Sequence, residues 1–424
     1  MNISKHIFIL LAALFSFSAA FAQDNKGKER KPKQEFKISS TIKTVKGLLK
    51  ETKYQNANDE INKAQKEHSE AKSSSYLYHL KTQALYNLVL AENKKIYLNQ
   101  KPDTTKYFSY IYDLYKSALV CDSLDNLPNE KGKVNVKFRS SNQQKLVQFR
   151  KNLSTADKFF FQKKDYKKAY DYADLYLSSK KEPIFITEKG VNLIEGENDT
   201  TAHGSLALFL AYSNNNKGGV VKYLPLALND TSKLAQVLEV GASTYYELGD
   251  TLAAHELLNR GVKEFPTIEY FYMTLVKYYN GKSEYDKALK LINFVLKSMP
   301  ENRNCLFLKA KEHEYLGQYD QSIETFKKII ALNHDDYEVH SALASIYLQQ
   351  AHDSYDGFKL KVTDSGYSKG REIINDYYRK AKTAFELCKK LAEKNTELWL
   401  VGLRECYYKL NMGKELKMLE STIK

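Results

Sequence analysis

The residues of this chain that could do chemistry are cations and aromatic rings. Between Lys131 and Lys168 stand twelve Lys or Arg against only Asp157 and Asp165. Lys145, Arg150, Lys151, Lys163, Lys164, Lys167 and Lys168 form the dense part of that stretch. Such a patch attracts anions over about 10 Å at moderate salt, so it would suit an acidic protein, an anionic polymer or a glycan; a merely solvated, solubilising face is the alternative. Catalysis finds no such footing. The chain has no Gly-rich phosphate loop, no His-Glu-x-x-His, no Gly-x-Ser-x-Gly and no Cys-x-x-Cys. Its nine His are scattered, and no enzymatic activity, cofactor or metal is expected.

Whatever these residues bind, helices must position them, and the helices announce themselves by a fixed step of 34 in the C-terminal half. Ala242, Val276, Ala310 and Ala344 make one column; Tyr245, Tyr279, His313 and Tyr347 a second; Gly249, Ser283 and Gly317 a third; Ala254, Ala288 and Ser322 a fourth. Small residues let two helices approach to roughly 8 Å where the facing side offers a large apolar knob. Leu258, Ile292 and Phe326 supply that knob four residues after the second small column, on the same helical face. Leu248-Gly249-Asp250 and Leu316-Gly317-Gln318 read as a glycine helix stop and a polar turn. With Pro266 and Pro300 closing two units, this pattern resembles the tetratricopeptide repeat. The resemblance implies an all-α, right-handed superhelical solenoid of antiparallel helix pairs, a platform for partners rather than a reaction vessel.

The best units are 235–268, 269–302 and 303–336, with a weaker one at 201–234, giving an array over 201–395. The unit starting at Tyr337 breaks phase: Ala381, Phe385 and Cys388 repeat the spacing of Ser322, Phe326 and Ile329 only after 25 extra residues. That insertion, about 351–375, is rich in Asp and Gly and is expected to be largely loop, with Tyr355, Phe358 and Tyr367 as candidate contacts. Residues 396–424 read as capping helices and 37–200 as divergent repeats with less regular phase.

In the family resembled, the first helix of each pair lines a concave groove. Carried onto this chain, the groove positions are Glu239, Ser243 and Tyr246, then Met273 and Lys277, then Phe307, Lys311 and Tyr315. Several members grip a C-terminal carboxylate with Lys, Asn and Arg on successive first helices. Here Glu239 and Met273 occupy places where cations would be wanted, which argues against that clamp. Tyr246, Lys277, Phe307, Lys311 and Tyr315 remain as candidate partner contacts.

The N-terminus speaks to compartment. Lys5 and His6 precede an apolar run from Ile7 to Phe21, and Ala20-Phe21-Ala22 precedes Gln23. This fits a secretory signal cut before Gln23, followed by a basic, disordered leader over 23–36 and delivery to the periplasm or beyond. No transmembrane segment is expected after signal removal. Charge is uneven: of a net +14, residues 201–424 carry 30 basic against 28 acidic side chains, so the excess lies earlier. Nucleic acid is disfavoured, because an exported chain rarely meets it and no recognition motif accompanies the charge. Of the four cysteines, Cys388 and Cys406 fall on consecutive helices and are expected as two buried thiols rather than a disulfide. The sequence therefore points to an adaptor for an envelope protein or peptide, with a glycan- or anionic-polymer-binding module as the alternative.

Overall fold

The computed structural model describes residues 36–129, 131–187, 189–194 and 200–421. The expected signal, and the leader up to residue 35, lie outside the described residues. Phe36, placed in the leader above, is instead packed: its ring stacks on His68 at 3.7 Å.

Two compact units divide the chain, one formed by the residues up to Pro102 with Lys116–Phe138 and the other by Asp103–Tyr115 with Arg139 onwards. In the first, α1 (Ile38–Lys50), α2 (Tyr54–Glu67), the single turn α3 (Ser69–Lys72) and α4 (Ser75–Tyr97) meet the later part of α5 (Thr104–Asp125). Val45, Ala57, Ile61, Leu77 and Ala84 form its core, fully buried. Buried hydroxyls tie helices together there: Thr82 bonds to Ser117 at 3.2 Å, and Ser117 donates to the Tyr78 carbonyl at 3.0 Å.

The second unit opens with the early part of α5 and runs through α6 (Arg139–Gln148), α7 (Arg150–Gln162) and α8 (Tyr166–Ser178). A short irregular stretch follows, with an isolated antiparallel bridge between Ile186 and Asn192. Helix pairs then succeed one another: α9 (Thr200–Ser213) with α10 (Lys217–Ala227), α11 (Leu234–Glu247) with α12 (Thr251–Glu264), α13 (Glu269–Gly281) with α14 (Tyr285–Leu296), and α15 (Arg303–Tyr315) with α16 (Tyr319–Leu332). The last are α17 (Tyr337–Asp356) with α18 (Tyr367–Leu391) and α19 (Leu400–Lys409) with α20 (Gly413–Ser421). Each helix packs on its own partner and on the adjacent pair, the local connectivity of a solenoid.

The small columns lie where the helices touch. Ala242, Ala310, Ala344, Ala254, Ala288 and Ser322 have no exposed surface, nor do the knobs Leu258, Ile292 and Phe326. Ser322 also donates its hydroxyl to the Ala310 carbonyl at 2.7 Å, joining the two small columns inside one pair.

The turns share one device. Lys164, Asn215, Gly249, Ser283, Gly317 and Asn411 all take positive φ, between 54° and 81°. In each turn the following amide reaches back five residues to close the helix: Asp250 to the Tyr245 carbonyl at 2.9 Å, Glu284 to Tyr279 at 2.9 Å, Gln318 to His313 at 2.8 Å. This is the left-handed C-terminal stop that glycine favours. The chain also places Lys, Asn and Ser there, and so hides the register from a search for glycine.

The 351–375 insertion differs from expectation, because most of it is helix. It prolongs α17 to Asp356 and lets α18 begin at Tyr367, leaving only residues 357–366 between them. Phe358 is the cause. It packs against the core of the last repeats and lies so close to Gly370 that a Cβ there would come within 2.1 Å of its ring. The glycine expected to break the helix instead gives room for a ring on it.

Candidate functional site

The left-handed turn residue fixes equivalent positions on six first helices, including those whose sequence phase is irregular; α17 instead ends at Gly357 with φ of −73°. Three residues before it stand Phe161, Tyr212, Tyr246 and Tyr408 on α7, α9, α11 and α19. Phe161 is 48% exposed, Tyr212 46% and Tyr408 70%, and Tyr246 is half-buried. Aromatic area left in water at the same position of four helix pairs is a stripe that a partner could cover. Six residues before the turn stand Lys158, Ser243, Lys277 and Lys311. Phe161, Tyr212 and Tyr408 escaped the sequence reading although Tyr212 lies 34 residues before Tyr246, because the turn residues Lys164, Asn215 and Asn411 are not glycine.

The five groove candidates are not equivalent. Lys277 is exposed and has no ion-pair partner among the described residues. Lys311 is half-buried, pairs with Glu314 at 2.6 Å and sits 5.4 Å from the Tyr315 ring centre. The pair of stacked cations expected from their 34-residue spacing is therefore one available ammonium and one already neutralised. Tyr315 is half-exposed and stacks on Tyr285 of the preceding pair at 4.9 Å. Phe307 is held edge-on to Phe326 at 5.4 Å, with the Arg303 guanidinium 4.9 Å from its ring centre. Tyr246 meets His255 edge-on at 5.8 Å, and His255 meets Tyr278 at 4.2 Å. Burial raises the Tyr246 hydroxyl pKa and lowers that of His255, so both are neutral contacts at physiological pH.

The basic stretch is partly surface and partly core. Lys151, Lys158, Lys163, Lys164, Lys167 and Lys168 are exposed on α7, its turn and α8. Lys163 and Lys168 rest over Phe159 and Phe160 at 4.2 and 5.3 Å, and Lys168 pairs with Asp165 at 3.2 Å. Arg150 does not belong to that surface. It is 3% exposed, donates to the Ser179 hydroxyl at 2.6 Å and to the Tyr176 carbonyl, and lies 4.2 Å from the Tyr176 ring centre. Its guanidinium staples α7 to the end of α8. Lys145 is half-buried and donates to the Ser141 carbonyl at 2.7 Å, with burial lowering its pKa. Beside Arg150 lies a polar contact unforeseen from sequence: Asp157, fully buried, faces His203 across to α9 at 3.2 Å. Asp157 occupies the small-residue column, seven places before its turn residue as Ala242 is before Gly249.

The insertion candidates also separate. Tyr355, 46% exposed, ends α17 with the Lys409 ammonium 4.9 Å from its ring centre. Phe358 and Tyr367 are half-buried and lie 5.4 Å apart, so they hold the hairpin together instead of presenting a surface. The exposed apolar side chains of its tip are Leu360 and Val362. His352 pairs with Glu405 at 2.5 Å, tying the extension of α17 to α19.

All four cysteines are buried free thiols, with burial pushing Cys388 up to about 11 and Cys406 up to about 12. Among the described residues no group of three or more His, Cys, Asp or Glu is placed to hold a metal ion, and no helix is long and apolar enough to cross a membrane.

No family model matches the chain. Over 106 residues it is 30% identical to Tetratricopeptide repeat protein 8 of Caenorhabditis elegans, an alignment covering 25% of this chain and 21% of that protein. The chain thus spans about a fifth of the length of the curated relative it matches. Among solved structures, MamA AMB-1 aligns at 20% identity with a TM-score of 0.32, covering 48% of this chain and 99% of that one. MamA from Desulfovibrio magneticus RS-1, residues 41 to the end, aligns at 14% identity with a TM-score of 0.33, covering 47% and 98%. The 34-residue register, the buried small columns and the left-handed turns shared by six helix pairs give this chain an all-α fold of tetratricopeptide-like repeats.

Proposed function

We propose that this chain is an exported, non-enzymatic adaptor that captures a protein or peptide of the cell envelope along the exposed stripe of its first helices. Repeats of this type serve as interaction scaffolds. The observation that carries the reading is the recurrence of solvent-exposed rings at one repeat position, Phe161, Tyr212 and Tyr408 together with half-buried Tyr246; the exposed ammonium of Lys277 on α13 adds a charge. Buried rings make cores, whereas rings left exposed in register make hot spots when covered. Replacing Tyr246 and Lys277 by Ala together is expected to weaken partner capture about tenfold or more while helicity stays unchanged. Capture by that variant equal to the parent's would overturn the reading.

Export is supported by Lys5 and His6 before the apolar run and by Ala20-Phe21-Ala22 before Gln23. N-terminal sequencing of protein from the soluble periplasmic fraction is expected to begin at Gln23. An intact Met1 or a cytoplasmic location would contradict it.

A second reading is favoured by one observation: six exposed lysines on α7, its turn and α8. They suit an anionic polymer. Binding through them should fall steeply with ionic strength, whereas capture through the aromatic stripe should not.

A further inference from the structure

Between the α9–α10 turn and α11 lies a cavity of about 220 Å³, lined mainly by Tyr212, Asn215, Asn216, Lys217, Thr244 and Glu247. Of its lining, the adaptor reading uses Tyr212 alone. Tyr212 brings a ring that is 46% exposed. Thr244, 2% exposed, brings a hydroxyl to the wall. The only charges on the wall, Lys217 and Glu247, pair with each other at 3.1 Å.

We propose that this cavity is a saccharide subsite that takes one pyranose ring of a neutral sugar. The chemistry follows from the lining. Because the ammonium and the carboxylate neutralise each other, the wall has no surplus charge to attract a phosphate or a peptide carboxylate. A ligand must offer donors and acceptors of both kinds at short range, to meet the Asn215 amide, the Thr244 hydroxyl and the outer atoms of the Lys217–Glu247 pair. Asn216 contributes less, because its carbonyl oxygen already accepts from the Gly219 amide at 2.9 Å to cap α10. The ligand must also have an apolar face for the ring of Tyr212, whose negative π-cloud attracts polarised C–H bonds. A pyranose has hydroxyls around its rim and axial C–H groups on its face, and one ring suits a cavity of this size; an extended peptide needs a longer channel.

The subsite is tested on the mature chain with glucose, N-acetylglucosamine, mannose and the linear tetramer of each, every sugar at about 10 mM, by saturation-transfer NMR and titration calorimetry. At least one sugar is expected to show saturated ring protons. Tyr212→Ala should weaken that binding about tenfold or more, Tyr212→Phe should restore most of it, and Thr244→Val should weaken it by a smaller factor. A tetramer binding tighter than its monomer identifies a polymer as the source; equal affinities identify a single free ring. No signal from any sugar overturns the proposal, as does a tetraglycine control that saturates where the sugars do not. So does Tyr212→Ala binding like the parent, once circular dichroism shows both folded. Capture of a protein partner, and its loss in the Tyr246 and Lys277 variant, is read separately, so either proposal can fail alone.

Discussion

The Asn280 side chain on α13 donates to the carboxylate of Glu312 on α15 at 2.8 Å, one repeat reaching into the next. Glu312 has no exposed surface, and its second carboxylate oxygen has no hydrogen-bond partner. Burial raises its pKa, opposed less strongly by the Asn280 bond and by Lys311. Its sign is that of a group harder to ionise when folded. Below the unfolded value of about 4.3 both states are protonated; above it the unfolded chain ionises first, and stability falls until the folded-state pKa is passed. Glu312→Gln keeps an acceptor for Asn280 without the charge. It should therefore raise stability at neutral pH by about 1 kcal/mol, with the gain vanishing as pH falls below about 4. Urea unfolding of parent and variant across that range checks it; a constant difference would show that Glu312 is not the titrating group.

Ser283 holds φ at 56°, where Gly249 and Gly317 serve in neighbouring turns. A side chain in that region costs about 1–2 kcal/mol, partly offset by the extra freedom that glycine gives the unfolded chain. Ser283→Gly is expected to stabilise by about 0.5–1 kcal/mol and Gly249→Ala to destabilise by about 1 kcal/mol or more. Thermal unfolding that moved both in one direction would refute the shared turn geometry.

Two glycines should respond oppositely to the same change. A Cβ on Gly261 would come within 2.3 Å of the buried Phe271 ring, whereas a Cβ on Gly281 meets nothing within 4 Å. Gly261→Ala should cost about 1–3 kcal/mol by overpacking. Gly281→Ala, at the end of α13, should gain up to about 1 kcal/mol of helix propensity. Denaturation midpoints decide.

Arg150 and Lys151 are neighbours in sequence with different fates. Removing the buried guanidinium takes a donor from the Ser179 hydroxyl oxygen and the Tyr176 carbonyl, so Arg150→Ala should destabilise by about 2–4 kcal/mol. Lys151→Ala should change stability by less than about 0.5 kcal/mol and, on the anionic-polymer reading, reduce the salt dependence of polymer binding. Equal melting temperatures for the two would return Arg150 to the surface patch.

These contrasts mark what was legible. The 34-residue columns in 235–336 disclosed fold, phase and core, because small residues at helix crossings cannot be replaced without overpacking. Phase in α7–α8 and α19–α20 was hidden because Lys164 and Asn411 take the left-handed turn that glycine marks elsewhere. Arg150 read as surface because charge alone does not reveal a ring and a carbonyl waiting for it 26 residues on. The insertion read as loop because Gly370 signals a break in sequence and a close ring contact in space. Spacing did separate Lys277 from Lys311: Glu314 stands three residues after Lys311 on its helix, where Asn280 follows Lys277.

The central claim is that the first-helix stripe is the capture surface. A photo-crosslinking amino acid placed in turn at Phe161, Tyr212 and Tyr246 tests it most directly, with Leu252 on α12, 73% exposed, as the control. In envelope extract the three stripe positions are expected to give the same crosslinked protein, Leu252 none, and the Lys277→Ala background a weaker product. Equal crosslinking from Leu252, or three unrelated products from the stripe, would contradict the account.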